Sequence, residues 1–188
     1  PPLLRVRLLK IGTEEFVLVM NMHHIVGDGW SMNILFHETM ELFHSFCTGK
    51  PHALRSLRIQ YKDFSEWQNQ QPFEREETYW LKQLAGNAGG IRLPFDFPST
   101  ESHDFRGALE TTQIDAELLT ALRHLAQSRE TTLANLFLAL FKLFLFRLTQ
   151  QEDLCVGVSI ASRNHPDLEN LLGFFVNVLP VRTSLSAN

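Results

Sequence analysis

Apolar and polar residues alternate over residues 4–11, with Leu4, Val6 and Leu8 set against Arg5 and Arg7, the pattern of a half-buried strand. Gly12-Thr13-Glu14 reads as a turn, and residues 15–24 as a second strand rich in Val, Leu, Met and Phe, so the two form a hairpin. If that strand runs to its end, Phe16, Leu18, Met20, Met22 and His24 share one face and His23 points to the other. Gly27-Asp28-Gly29 breaks the strand. Ser31 is a suitable cap for a helix carrying Leu35, Leu42 and Phe46, which Gly49-Lys50-Pro51 ends. Two shorter helical segments follow: residues 61–68, with Tyr61, Phe64 and Trp67 on one side, and residues 73–85, with Trp80, Leu81 and Leu84, ending at Gly86.

Residues 87–107 change character. Gly89, Gly90, Pro94, Pro98, Ser99, Thr100 and Gly107 punctuate them as a linker between two lobes, 1–86 and 108–188. The second lobe reads as a strand (108–114), a helix (115–128) capped by Asp115, a helix (133–148) capped by Thr131 or Thr132, a strand (153–160), a loop (161–170) and a strand (174–183). The helix over 133–148 is the most apolar stretch. It is shorter than the roughly 20 residues of a membrane span and holds Asn135, Lys142 and Arg147, so it is expected to be buried on most sides of a protein core. The mixture of hairpin, helices and later strands is an α+β pattern.

Composition narrows the field without deciding it. The chain has 188 residues, 44% of them hydrophobic, and a net charge of −4, with none of the basic excess of a nucleic-acid-binding surface. Cys47 and Cys155 are too few for a disulfide framework and point to a reducing, cytoplasmic setting. The start at Pro1-Pro2, without Met, leads us to expect an excerpt of a longer protein.

The chemistry concentrates in residues 22–31. Two adjacent histidines end a strand, and a Gly-rich turn leads into a helix N-terminus. Imidazole takes or gives a proton near neutral pH. Asp28 can reach back across the turn to orient a histidine, or accept an arginine and lock the turn. Gly27 and Gly29 allow positive φ or close approach of a ligand, and free N–H groups at the helix start can face a developing oxyanion. A metal site is disfavoured because strand alternation sends the two rings apart and no third ligand cluster is evident. No phosphate-binding Gly loop, dinucleotide fingerprint or serine elbow occurs.

His23-His24-Ile25-Val26-Gly27-Asp28-Gly29 resembles the HHxxxDG motif of the condensation domains of nonribosomal peptide synthetases, members of the chloramphenicol acetyltransferase-like superfamily. Two further segments resemble later motifs of that family: Tyr61-Lys62-Asp63-Phe64-Ser65-Glu66-Trp67 and Leu172-Gly173-Phe174-Phe175-Val176-Asn177-Val178-Leu179-Pro180-Val181-Arg182. Tyr79-Trp80, Gln150-Gln151-Glu152-Asp153 and Ser162-Arg163-Asn164 are also similar. Val178 stands where the family has Thr, and Gly27 where Ser is common. The family's early arginine motif and its last motifs would lie outside residues 1–188, so the resemblance implies a two-lobed fold incomplete at both ends.

The resemblance implies amide-bond formation between a donor aminoacyl or peptidyl thioester and the amine of an acceptor aminoacyl thioester. Both would be held on phosphopantetheine arms delivered by upstream and downstream carrier domains, with an adenylation domain in the same synthetase. It implies no tightly bound cofactor, no metal, and neither nucleic acid nor membrane as partner. The active-site group would be His24, His23, Asp28 and Gly29. His24 acts as general base or orients the amine, His23 supports the strand, Asp28 pairs with an arginine, and Gly29 permits close approach. Asp28's arginine would be Arg163, Arg182 or one outside the chain. Trp30, Ser31 and Asn177 would contact substrate, and Tyr61, Asp63, Arg163 and Arg182 would be structural. Trp30-Ser31 leans towards a donor of L configuration. Two other readings stay open: a related acyltransferase using another thioester, and a carrier-docking module without catalysis.

Overall fold

A computed structural model describes residues 2–86, 89–97 and 107–185. Strands β1 (Leu4–Lys10) and β2 (Phe16–Met22) pair antiparallel, from Leu4 opposite Met22 to Lys10 opposite Phe16. The turn closes through the Ile11 and Gly12 N–H groups on the Glu15 carbonyl. The ribbon has the expected strand periodicity, but both its faces are uncovered: Leu8 and Leu18 on one face, and Leu9 and Val17 on the other, are all exposed. A short 3-10 turn, His24–Val26, leads to the long helix α1 (Gly29–Thr48), which Gly49 ends in the left-handed region at φ 68°. Helices α2 (Tyr61–Asn69), α3 (Glu74–Leu84), α4 (Ala116–Ser128) and α5 (Leu133–Thr149) follow. After them come β3 (Asp153–Ile160), the single-turn helix α6 (Pro166–Glu169) and β4 (Asn177–Ser184), which pairs with β3 in a second two-stranded sheet.

The chain packs as two compact units, residues 1–78 with 158–179, and residues 79–157 with 180–188. The expected lobes, 1–86 and 108–188, divide the chain at the linker. Packing groups residues 158–179 with the first 78. Of the linker, residues 87–88 and 98–106 lie outside the described residues, as does His103.

In the first unit the core is Leu168, Leu171 and Phe175, with Ile59, Tyr61 and Phe64 packed against it. In the second unit α4 lies on α5 and buries Ala126 and Leu145. Lys142 is buried there too. Its Nζ donates to the Val181 carbonyl (2.8 Å) and to Thr183 Oγ1 (2.5 Å), and burial lowers its pKa. Arg182 chelates the Asp153 carboxylate (2.7 and 2.8 Å) and donates to the Gln83 and Ala85 carbonyls, tying β4 to β3 and to the end of α3.

Three expectations are corrected. Residues 108–114 form no strand; Leu109 is exposed, and no edge among the described residues receives it. The last strand starts at Asn177 rather than at residue 174, because the residues before it are drawn into a polar cluster described below. Helix α5 is not buried on most sides: Phe141, Leu143 and Phe144 are about half exposed. Among the described residues no single helix is long and apolar enough to cross a membrane.

Candidate active site

Strand β2 stops at Met22, so the alternation that would send the two histidines to opposite faces does not reach them. His23 instead caps the 3-10 turn. Its Nδ1 accepts from the Ile25 N–H at 3.1 Å, which fixes the ring to its own backbone. His24, one residue on, is exposed and makes no ring hydrogen bond among the described residues. Its imidazole meets the Phe174 ring edge to face, with centroids 5.1 Å apart and planes at 85°. It borders a depression of about 410 Å³, with Met20, Met22, Gly27, Gly29 and Met32 among the other walls.

Neither Gly27 nor Gly29 has positive φ, so conformational freedom is not why they are glycine. Gly27 is extended and buried. A Cβ there would lie 2.3 Å from the Met22 methyl, so Met22 fills the space a side chain would use. Around Gly29 a Cβ would meet nothing within 4 Å, which leaves open space beside the depression.

Asp28, not Ser31, caps α1. The reason lies in how its carboxylate is shared. Oδ1 accepts from the Ser31 N–H (2.8 Å) and from Arg163 Nη2 (3.3 Å), while Oδ2 accepts from the Phe175 N–H (3.1 Å). The arginine left open by the sequence is therefore Arg163; Arg182 is engaged with Asp153. Ser31 is fully buried. Its hydroxyl donates to the Gly173 carbonyl (2.8 Å) and accepts from the Gly173 N–H and from Arg163 (both 3.0 Å). Ser31 is thus committed to protein partners and has no surface for a substrate.

Arg163 completes the lock. Nη1 donates to the Leu168 and Leu171 carbonyls, and the guanidinium lies 4.0 Å from the Phe175 ring centroid and 5.7 Å from that of Trp30. Its Nε is buried without a hydrogen-bond partner. Burial opposes charging of Asp28, but the Ser31 and Phe175 N–H groups, the Ser31 hydroxyl and the Arg163 charge outweigh it and hold the carboxyl below the usual aspartate value. Burial also draws Arg163 down, yet a guanidinium stays charged. The pair is ionised and screened from water, with side-chain exposures of 2% and 0%.

The other expected positions fall around this lock. Trp30 is half exposed, and its indole N–H donates to the Glu169 carbonyl at 2.9 Å. Tyr61 packs against Gly173, where a Cβ would come 2.1 Å from the ring, and its hydroxyl donates to the Phe174 carbonyl at 2.9 Å. Asp63 closes the α2 capping box, accepting from the Gln60 N–H at 2.8 Å. Asn177 accepts from the Val178 N–H and lines a groove of about 940 Å³ shared with Phe64, Trp67, Asn164 and Phe174. Sequence reasoning gave no role to Phe174. The signal was an aromatic residue directly after a glycine that only a bare backbone could bring against Tyr61.

The site therefore brings His24, Asp28, Ser31, Arg163 and Phe174 together, and leaves Arg182 elsewhere. It leaves the His24 ring without a hydrogen bond among the described residues, four residues before a buried ion pair.

The profile of the family described as "Condensation domain" matches residues 1–188. Malpibaldin synthetase of Mortierella alpina is 38% identical over 98% of this chain and 3% of its own length. Gramicidin S synthase 2 of Brevibacillus brevis is 40% identical over 96% of this chain and 4% of its own. Among solved structures, the X-domain from teicoplanin biosynthesis aligns with a TM-score of 0.87 at 25% identity, covering 98% of this chain and 43% of that one. The chain thus spans less than a twentieth of those two curated relatives and under half of that solved chain.

Proposed function

The chain belongs to the Condensation domain family, and from that premise we propose that the protein containing it joins two thioester-bound groups through an amide bond in nonribosomal peptide synthesis. The acceptor amine attacks the donor thioester carbonyl. A C–N bond forms, the C–S bond breaks, the donor's pantetheine thiol leaves, and the amine's proton passes to the leaving sulfur or to solvent. His24 either relays that proton or orients the amine and the tetrahedral intermediate. The observation that carries this assignment is the asymmetry of the two histidines. His23 has spent Nδ1 on the Ile25 N–H, while His24 has both ring nitrogens free of partners among the described residues.

In this reading His23 holds the turn and Asp28 keeps the backbone on either side of it fixed. Gly29 leaves room for an approaching arm, and Trp30 and Asn177 border the substrate path. The phosphopantetheine arms arrive as substrate on upstream and downstream carrier domains, with an adenylation domain in the same cytoplasmic synthetase. Residues 1–86 and 108–188 belong to two lobes joined by residues 87–107. The isolated chain is inactive and poorly stable, in keeping with the uncovered apolar faces of the β1–β2 ribbon and of α5.

The test is His24→Ala in the full-length synthetase, with both carriers loaded and amide product counted. We expect product formation to fall by at least about 100-fold, the lower range for a general acid–base group. Near wild-type yield would overturn the assignment of His24. Carrier binding without transfer by the unaltered protein would point to a docking module instead.

A further inference from the structure

We propose that Phe174 is a positioning residue for the His24 imidazole, and that the Tyr61 hydroxyl holds Phe174 to that task; this rests on His24 being the group that acts on the amine. His24 opens a three-residue 3-10 turn, is exposed, and has no hydrogen bond to either ring nitrogen among the described residues. Such a ring would sample several χ2 orientations. One aromatic neighbour limits it: Phe174, at 5.1 Å and 85°, the edge-to-face geometry favoured by the ring quadrupoles.

Phe174 is suited to this because its backbone is tethered on both sides. Gly173 before it is bonded through both N–H and C=O to the Ser31 hydroxyl. Its own carbonyl accepts from Tyr61, and the next N–H, of Phe175, is held by Asp28. Asp28 also caps α1, four residues after His24. Imidazole and phenyl ring are therefore carried by two strands of backbone fastened to one carboxylate. Phe174 is 42% exposed, so it is not needed to fill the core. What it contributes is a wall that leaves both His24 nitrogens open.

Phe174 also lines the 940 Å³ groove, so it could instead be a substrate-binding surface. Kinetics separate the two roles. In the full-length synthetase, Phe174→Leu should lower kcat about 3- to 10-fold with KM for the acceptor carrier unchanged, the range expected for losing one aromatic pair. Phe174→Tyr, which keeps the ring, should restore kcat to within about 2-fold. Tyr61→Phe keeps the ring packed on Gly173 but frees the Phe174 carbonyl, and should lower kcat about 2- to 5-fold, the equivalent of one net hydrogen bond.

A rise in KM alone, failure of Phe174→Tyr to rescue, or wild-type kcat in Phe174→Leu would each overturn the proposal. Should Phe174→Leu prove insoluble, Tyr61→Phe decides alone, and an unchanged kcat there refutes it. His24→Ala, run alongside, keeps the two ideas apart. If it is inactive while Phe174→Leu is normal, the positioning role falls and the functional reading stands. If it is active, the functional reading itself falls.

Discussion

Replacing Asp28 with Asn tests whether this residue is a structural anchor or part of the chemistry. Asparagine preserves the shape and can still accept the Ser31 N–H as a helix cap. It removes the negative charge facing Arg163 and places an NH2 group against either the guanidinium or the Phe175 N–H. Both side chains are almost wholly buried, with exposures of 2% and 0%. The weak-coupling figure for surface ion pairs, about 0–1 kcal/mol, therefore does not apply. Stranding one member of a buried pair costs about 3–5 kcal/mol, about a fifth or more of a typical domain's stability of about 5–15 kcal/mol. With a urea slope of about 2 kcal/mol per molar, the unfolding midpoint of the condensation domain should fall by about 2 M. Arg163→Met should also destabilise, and the double variant should be more stable than the sum of the single losses implies, since neither charge is then left alone. The sign of the pH dependence follows from the lowered Asp28 pKa. The carboxylate's contribution is fully present above its unfolded value of about 3.9 and is lost as pH falls through the lower folded value. Asp28→Asn should flatten that acid limb. A variant with an unchanged urea midpoint and no turnover would refute the anchor reading and give Asp28 a direct part in catalysis.

Two further outcomes are expected. Gly27→Ala should destabilise by about 1 kcal/mol, because the new methyl overlaps the end of the flexible Met22 side chain. In a Met22→Ala background most of that penalty should go, leaving the tight contact with the Ser31 Cβ at 3.3 Å, and an equal loss in thermal midpoint in both backgrounds would show that Met22 is not the obstruction. Lys142 has its pKa lowered by burial, so the unfolded chain binds its proton more tightly than the folded one. Stability should accordingly rise with pH over the alkaline range up to about 10.4 and level off above it, measured by urea unfolding. Lys142→Met should remove the slope, and a slope that persists would assign it to another group.

Much of this was legible because the informative residues follow local rules. Asp115 caps its helix as expected, Thr132 is the one of the two candidate threonines that caps α5, and residues 4–10 and 16–22 pair as the expected hairpin. Helix α2 places Tyr61, Phe64 and Trp67 on one side as its spacing requires, since Phe64 stacks near both Tyr61 and Trp67. Where reading along the chain failed, a long-range partner had overridden the local preference. Ser31 has the chemistry of a cap, but Asp28 takes the cap because Arg163 and Phe175 converge on it from about 140 residues away. Residues 174–176 have the composition of a strand, yet the Phe175 N–H is claimed by Asp28 and the Phe174 carbonyl by Tyr61, so no ladder can begin before Asn177.

The same overriding explains why three separated motifs behave as one. Asp28 comes from the first, with Ser31 just after it, Tyr61 from the second, and Gly173, Phe174 and Phe175 from the third; each bonds to a backbone or side-chain group of another. None of these bonds involves His24. If His24 acts as proposed, burying its imidazole to fix it would block the substrate and penalise the charged form. What then supports the exposed imidazole is the Phe174 ring beside it, together with backbone anchored after His24 and Phe174 by the one Asp28 carboxylate that pairs with Arg163. On that argument, the damage done by substituting a lock residue should scale with how far the His24 backbone is released, and not with the residue's own distance from the imidazole.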